Sequence, residues 1–365
     1  FYVSNIGNDS WSGRLDMPNG SKTDGPFKTI QRAQDEVRKN ISAEKRSVDI
    51  VFRAGEYYIN KTVEFKTGDS GKEKIPVRYI AYPGEKVSFI GAKKIIGFEK
   101  LQDKQISSRF DKKVQNKIYV CDLKGAGITE YGKLKQQGFG RNPKKPVQME
   151  LFFNGKPMLL AQYPNQEWLK ISYVPQTESE LKSKGEEDAL KDGIPAGKHC
   201  GYFKYSDNRP ASWNKSDDIW MHGYWTWDWA DAYDKVKSID GINNIVKVDT
   251  PYNNYGYTKG QRFRFINILE EIDTPGEYYI DRVNGKLYFY PPSDLEKGSA
   301  YVSTLEDLML SLNNCENISF EDITFEYSRY AAVKIKDCNN IVFAGCTFRN
   351  LAVEPVSIEG GKNNG

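Results

Sequence analysis

NCENISFEDITFEYSRYAAVKIKD, residues 314–337, runs straight into DCNNIVFAGCTFRNLAVEPVSIEGG, residues 337–361, and the second stretch repeats the first at an offset of 23 residues. Cys315 aligns with Cys338, Asn317 with Asn340, Ile318 with Ile341, Phe320 with Phe343, Thr324 with Thr347, Phe325 with Phe348, Val333 with Val356 and Ile335 with Ile358. Asn363 occupies the Asn317 position a third time. A period of this length means stacked units, each too small to bury its own apolar face. Within one unit, Ile318/Phe320, Ile323/Phe325 and Val333/Ile335 are alternating pairs of β-branched and aromatic residues, separated by Asn, Asp, Gly and Ser. Such pairs read as three short strands per repeat. The expected fold is an all-β parallel β-helix of about 23 residues per coil, with equivalent residues stacked a strand spacing of roughly 4.8 Å apart. Asn317, Asn340 and Asn363 are then expected to form a side-chain ladder at a corner, and Glu326 is expected to pair with Arg349. Cys315 and Cys338 stack close enough either for a disulfide or to serve as small buried filler.

The chain of 365 residues carries 52 basic and 49 acidic side chains, a balance that gives no electrostatic reason to expect nucleic acid or an anionic membrane as partner. No apolar run approaches the length that spans a bilayer. Aromatic residues make up 13%, with 23 tyrosines, against two histidines. His199 and His222 are too few for a zinc site, and neither a P-loop nor a Rossmann fingerprint is present. No cofactor is expected. Asn5, Asn8 and Asp9 offer oxygen ligands suited to calcium, or simply a turn.

Residues 1–96 read as an N-terminal cap and the first coils, with Ile30, Ala33 and Val37 marking the apolar face of a capping helix. Between residues 97 and 299 the 23-residue register is absent and hairpin signals replace it: Asn154-Gly155, Asp240-Gly241 and Asn284-Gly285, each suited to a type I′ turn. This segment is expected to be an inserted antiparallel β-domain, barrel-like or a small sandwich. Coils resume over residues 300–365 and are expected to continue past Gly365, because a parallel edge left bare is an aggregation hazard. Phe1 in place of an initiator methionine fits removal of a leader.

Alternation places Lys334, Lys336, Ser357 and Glu359 on the outward face of the third strand. Arg329, Tyr330, Arg349 and Glu354 lie in the irregular stretch before it, where a rigid scaffold positions binding groups. Glycoside hydrolysis needs two carboxyl groups roughly 5 to 9 Å apart, and Glu354 and Glu359 are the acidic residues nearest that strand. The densest aromatic run is WTWDW, residues 225–229. On a strand Trp225, Trp227 and Trp229 share one face, either as a platform for sugar rings with Asp228 and Asp231 beside it, or as core.

YVSNIGNDSWSG and DGPFKTIQRAQDEVR resemble the N-terminal segment of secreted bacterial right-handed β-helix proteins acting on polysaccharides. MELFFNGKPMLLAQYPN, HGYWTWDWADAYDKVKSID and PGEYYIDRVNGKLYFYPP are similar to the β-helix proteins around glycoside hydrolase family 141, in which a β-domain interrupts the solenoid. The resemblance implies a secreted or periplasmic glycoside hydrolase acting on complex plant-type polysaccharides, a right-handed solenoid, and catalytic carboxylates on coils beyond Gly365. Two other readings stand beside it. One is a polysaccharide lyase on uronate-containing glycans, with Lys334, Lys336 or Arg329 removing the proton. The other is a non-catalytic carbohydrate-binding module.

Overall fold

The computed structural model describes residues 1–41, 47–139, 148–174, 201–213 and 218–365. The protein is nearly all β, with 41% strand and 9% helix. It divides into two compact units, one of Phe1–Lys94 with Tyr301–Gly365 and the other of Ile95–Ala300.

In the first unit three parallel sheets are stacked from successive turns of chain. One holds Tyr2–Val3, Val48–Phe52, Val77–Ala81, Glu316–Glu321 and Asn339–Ala344; the second Val63–Phe65, Leu310–Asn313, Val333–Lys336 and Val356–Glu359; the third Gly55–Tyr58, Val87–Ile90, Ile323–Ser328 and Thr347–Leu351. Residues 23 apart are direct partners: Ile318 with Ile341, Phe325 with Phe348, Val333 with Val356. Ile318 also pairs with Val77 and Phe325 with Phe89, so the turn that follows Tyr301 stacks on the turn that precedes Lys94.

Left-handed corners explain why Asn, Asp and Gly recur between the strands. Asn314, Asp337 and Gly360 have φ of 52°, 51° and 69°; Asn317, Asn340 and Asn363 have 55°, 55° and 54°; Asp322 and Gly345 have 58° and 64°. These residue types tolerate that region because glycine lacks a Cβ and a short polar side chain bonds locally. Inside, rings stack along the axis: Phe320 on Phe343 at 4.8 Å, Phe325 on Phe348 at 4.9 Å and Tyr79 on Phe320 at 5.1 Å. Cys315 and Cys338 are both free thiols, so filler, not a disulfide, is what their stacking provides. The Cys315 N–H donates to Cys338 Sγ at 3.3 Å, and each Sγ–H donates to a backbone carbonyl two residues earlier.

The helix Ile30–Asn40 buries Ile30, Ala33, Gln34 and Val37 and is N-capped by Thr29. Asp9 anchors that cap, accepting from the Lys28 and Thr29 N–H groups and from the Thr29 hydroxyl at 2.8 to 2.9 Å. The Asn8 side-chain oxygen accepts from the Ser10 N–H and hydroxyl. Both side chains thus close the loop itself, as a turn does.

The second unit contains a closed six-stranded antiparallel barrel. Leu169–Tyr173 pairs with Tyr202–Tyr205, which pairs with Ile245–Val248, then Asp231–Asp240, Trp220–Tyr224, Arg262–Ile266 and back to Leu169–Tyr173. Met221, Phe263, Phe265, Phe203 and Val246 fill the interior. Gly223 sits on that inner face, where a Cβ would meet Phe263 and the Trp225 ring at 2.8 Å. A separate sheet combines Leu159–Leu160, Glu277–Asp281, Lys286–Phe289, Tyr119–Asp122 and Glu99–Lys100.

Of the three expected two-residue turns, Asn154-Gly155 has positive φ at both residues, 50° and 78°, and joins Leu151–Phe153 to Lys156–Pro157. The other two are longer. Asp240 and Asp281 each accept from the N–H groups two and three residues ahead, and only the last loop residue, Asn244 or Gly285, has positive φ. The aspartate side chain competes with the tight turn by closing its own loop.

Candidate functional site

WTWDW is not strand. The strand ends at Tyr224, and residues 225–230 turn the chain into Asp231–Asp240. The three tryptophans therefore do not share a face. Trp225 folds inward, 1% exposed, with Nε1–H donating to the Ala232 carbonyl at 3.1 Å; Trp229 points out, 61% exposed. Inside the barrel Trp225 packs against Phe203, Tyr257 and Phe263.

What the barrel presents outward comes from strand parity. Trp220, His222 and Tyr224 alternate with inward Met221 and Gly223, and their cross-strand partners are Lys235, Tyr233 and Asp231. On the other flank His222 pairs with Arg264, and Arg262 follows on the same face. The His222 ring stacks on Tyr233 at 4.3 Å and 8°, and its Nε2 lies 2.8 Å from Asp231 Oδ2. Trp168, just before Leu169–Tyr173, meets His222 and Tyr224 edge-on at 5.5 and 5.7 Å. The Arg264 guanidinium lies 4.0 Å from the Trp168 ring centre, and that of Arg262 lies 3.9 Å from Tyr224. Asp228 forms an ion pair with Arg262. Beyond it, Trp229 packs edge-on against Phe139 at 4.6 Å, with Tyr255 alongside.

Burial dominates the electrostatics of this surface. It lowers the His222 pKa below the usual imidazole value, although the hydrogen bond with Asp231 opposes the shift. The neutral ring then donates Nε2–H to the carboxylate and keeps Nδ1 as an acceptor. Burial also lowers Arg264 and pushes Tyr233 up to about 12. Among the described residues Arg264 forms no ion pair; the Trp168 face holds it instead. Planar aromatic faces, fixed guanidinium groups and a carboxylate–imidazole pair suit recognition of a hydroxylated ring. They do not supply the two separated carboxyl groups of a glycosidase, because Asp228 is bound to Arg262 and Asp231 to His222.

Of the sequence-derived residues, Asp228, Asp231 and Trp229 belong to this surface, and Trp225 lies beneath it. The others sit on the first unit, largely in ion pairs. Arg329 is 1% exposed and bonds Glu306 at 2.5 Å; Arg349 bonds the buried Glu326 at 2.7 Å; Lys334 bonds Glu359 at 2.8 Å. The Lys334 ammonium holds Glu359 below the usual carboxylate range, so it stays charged. Glu354 is exposed in the turn before Val356, and Tyr330 is half-buried next to Ser328, whose hydroxyl accepts from its N–H. His199 and Cys200 lie outside the described residues.

Trp168, Tyr233, Arg262 and Arg264 were not singled out from sequence, and His222 entered only as one of two histidines too few for a zinc site. The signal for two of them was present: RFRFI, residues 262–266, alternates cation and aromatic, so both arginines share the outward face of a half-buried strand. Trp168 carries no comparable local signature.

No protein-family profile matches this sequence, and no curated protein matches it. Among solved structures, one named "Glycoside hydrolase" aligns with a TM-score of 0.68 over 99% of this chain at 17% identity, and the two share a fold. This chain spans 64% of that structure's length. A second, a complex of XylC with xylose, covers 92% of this chain and 42% of its own at 11% identity with a TM-score of 0.28, too low to carry an argument.

Proposed function

We propose that this chain is part of a secreted or periplasmic glycoside hydrolase of the right-handed parallel β-helix type, related to the group around family 141, acting on complex plant-type polysaccharides. In this reading residues 95–300 are a β-domain inserted between two coils, and their barrel contributes glycan contacts. The hydrolytic carboxylates belong to coils beyond Gly365. The observation that carries the reading is the outward surface of Trp168, His222, Tyr224, Tyr233, Arg262 and Arg264. Rings held edge-on and stacked, with guanidinium donors between them, match the alternating apolar faces and hydroxyl edges of sugars. The shared fold with a structure named glycoside hydrolase supports the class.

Lyase chemistry has less support, because two of its three candidate bases, Arg329 and Lys334, are each occupied by a carboxylate and a proton-abstracting base must be free, which leaves Lys336 for that role. A non-catalytic binding role is favoured by the same barrel surface, whose donors bind without a catalytic pair. Product analysis separates the three. This chain and a form extended past Gly365 are incubated with neutral and uronate-containing plant polysaccharides, following reducing ends and unsaturated-uronate absorbance separately. Reducing ends without absorbance, from the extended form, are expected. Rising absorbance makes it a lyase, and binding without products makes it a binding module.

A further inference from the structure

On the same barrel, at the next outward-facing cross-strand pair from His222 and Tyr233, a groove of about 320 Å³ opens between Trp220, Lys235 and the segment before the first barrel contact. Its lining includes Lys133, Lys135, Lys235, Gln136, Asp218 and Asp249. Residues 132–138 are held from both ends. Arg282 Nε donates to the Gly132 carbonyl at 2.7 Å, Leu134 is buried against Trp220 and Ile266, the Gln136 amide donates to the Pro251 carbonyl at 2.6 Å, and Gln137–Gly138 pairs with Tyr233 and Ala232. Lys133 and Lys135, exposed on either side of the buried Leu134 in sequence, line the groove with Lys235.

The charges do not cancel. Asp218 is already taken up by Arg282 at 3.2 Å, by the Trp220 Nε1–H at 2.9 Å and by the Asn267 amide at 3.1 Å. That leaves Asp249 as the other carboxylate lining the groove with Lys133, Lys135 and Lys235, none of which is in an ion pair among the described residues. Three lysines lining one groove beside an indole, with one carboxylate to offset them, suit an anion carried on a ring.

We propose that this groove is a subsite for an acidic sugar residue, a uronate whose carboxylate sits among Lys133, Lys135 and Lys235 while the adjoining Trp168–Arg264 surface holds neighbouring residues of the same chain. The proposal rests on the glycan reading of that surface. It assigns the substrate class as an acidic polysaccharide, whatever chemistry cleaves it.

The test is isothermal titration of the whole chain with trigalacturonate, with its methyl ester and with a neutral galactose trimer, at two ionic strengths. Lys133→Met/Lys135→Met and Trp168→Ala variants are titrated in parallel, and circular dichroism verifies their folding. Trigalacturonate is expected to bind more tightly than its methyl ester, and the double lysine variant to lose about tenfold of that affinity, two exposed ion pairs at roughly threefold each. The neutral trimer is expected to be unaffected by the lysine changes and weakened by Trp168→Ala. Equal affinity for acid and ester, or an unchanged lysine variant, overturns the acidic subsite and leaves the glycan surface standing. Trigalacturonate binding that depends on the lysines with no effect of Trp168→Ala keeps the subsite and overturns the surface. Binding of none of the three sugars overturns both.

Discussion

Asn340 donates its side-chain amide to the Asn317 side-chain oxygen at 2.9 Å, one 23-residue repeat away, and receives the same bond from Asn363 at 3.1 Å. All three hold the left-handed conformation, so each amide lies above the last along the stack. The ladder satisfies polar groups at a corner, beside the first residues of the strands Glu316–Glu321 and Asn339–Ala344.

Asn340→Ala is expected to cost about 1 kcal/mol because alanine lacks the short polar side chain that lets asparagine hold the left-handed region and about 1 kcal/mol more for the lost hydrogen bonding. Asn340→Gly keeps the backbone conformation and loses only the ladder. Urea midpoints should therefore rank wild type, then the glycine variant, then the alanine variant. A glycine variant no more stable than alanine would show that the corner conformation carries no cost.

Burial raises the thiol pKa of Cys315, pushing it up to about 12, that of Cys121 up to about 11, and that of Cys346 in the same direction. Since the thiolate is the reacting form, these three should resist a disulfide reagent at pH 8 in the native protein and react promptly in denaturant. The check is a time course of thiol release with and without guanidinium.

Trp225 and Trp168 predict opposite outcomes. Trp225→Ala empties the barrel core and is expected to cost about 3–5 kcal/mol of stability. Trp168→Ala is expected to leave the melting temperature nearly unchanged and to weaken glycan affinity about tenfold, through lost stacking and a released Arg264. Thermal unfolding and titration calorimetry on both variants decide; a destabilised Trp168→Ala with unchanged affinity would return that residue to a packing role.

Glu277 is almost wholly buried, and burial raises its pKa to about 8 even though the Asp273 and Thr274 N–H groups bond its Oε2. In the unfolded chain it titrates as an ordinary glutamate near 4.3. The folded state thus holds a proton that the unfolded state has lost between these values, and stability falls as pH rises through that window. Glu277→Gln should flatten the decline and be relatively more stable at pH 8 than at pH 5. Chemical denaturation at both pH values measures it.

The pairings of the first unit were legible because each follows from one period. Once Ile318 lies over Ile341, Glu326 must lie near Arg349, and the two bond at 2.7 Å. The same spacing joins Glu306 to Arg329, a pair not read from sequence because residue 306 precedes the recognisable repeat. The tryptophan run misled for a local reason. Parity holds only while a strand continues, and this one stops at Tyr224 so that Trp225 can turn into the barrel.

The sequence by itself determined the all-β character, the 23-residue stacking and its corner asparagines, because these depend on residue type at short, regular spacing. Only the tertiary structure decided which side chains of residues 95–300 meet. Trp168, His222, Tyr233 and Arg264 come from four separate places along the chain, and they become neighbours when antiparallel strands close into a ring. Closure sets which outward residues of different strands become neighbours, and no local pattern encodes that. That physical step turns scattered aromatics and arginines into one surface.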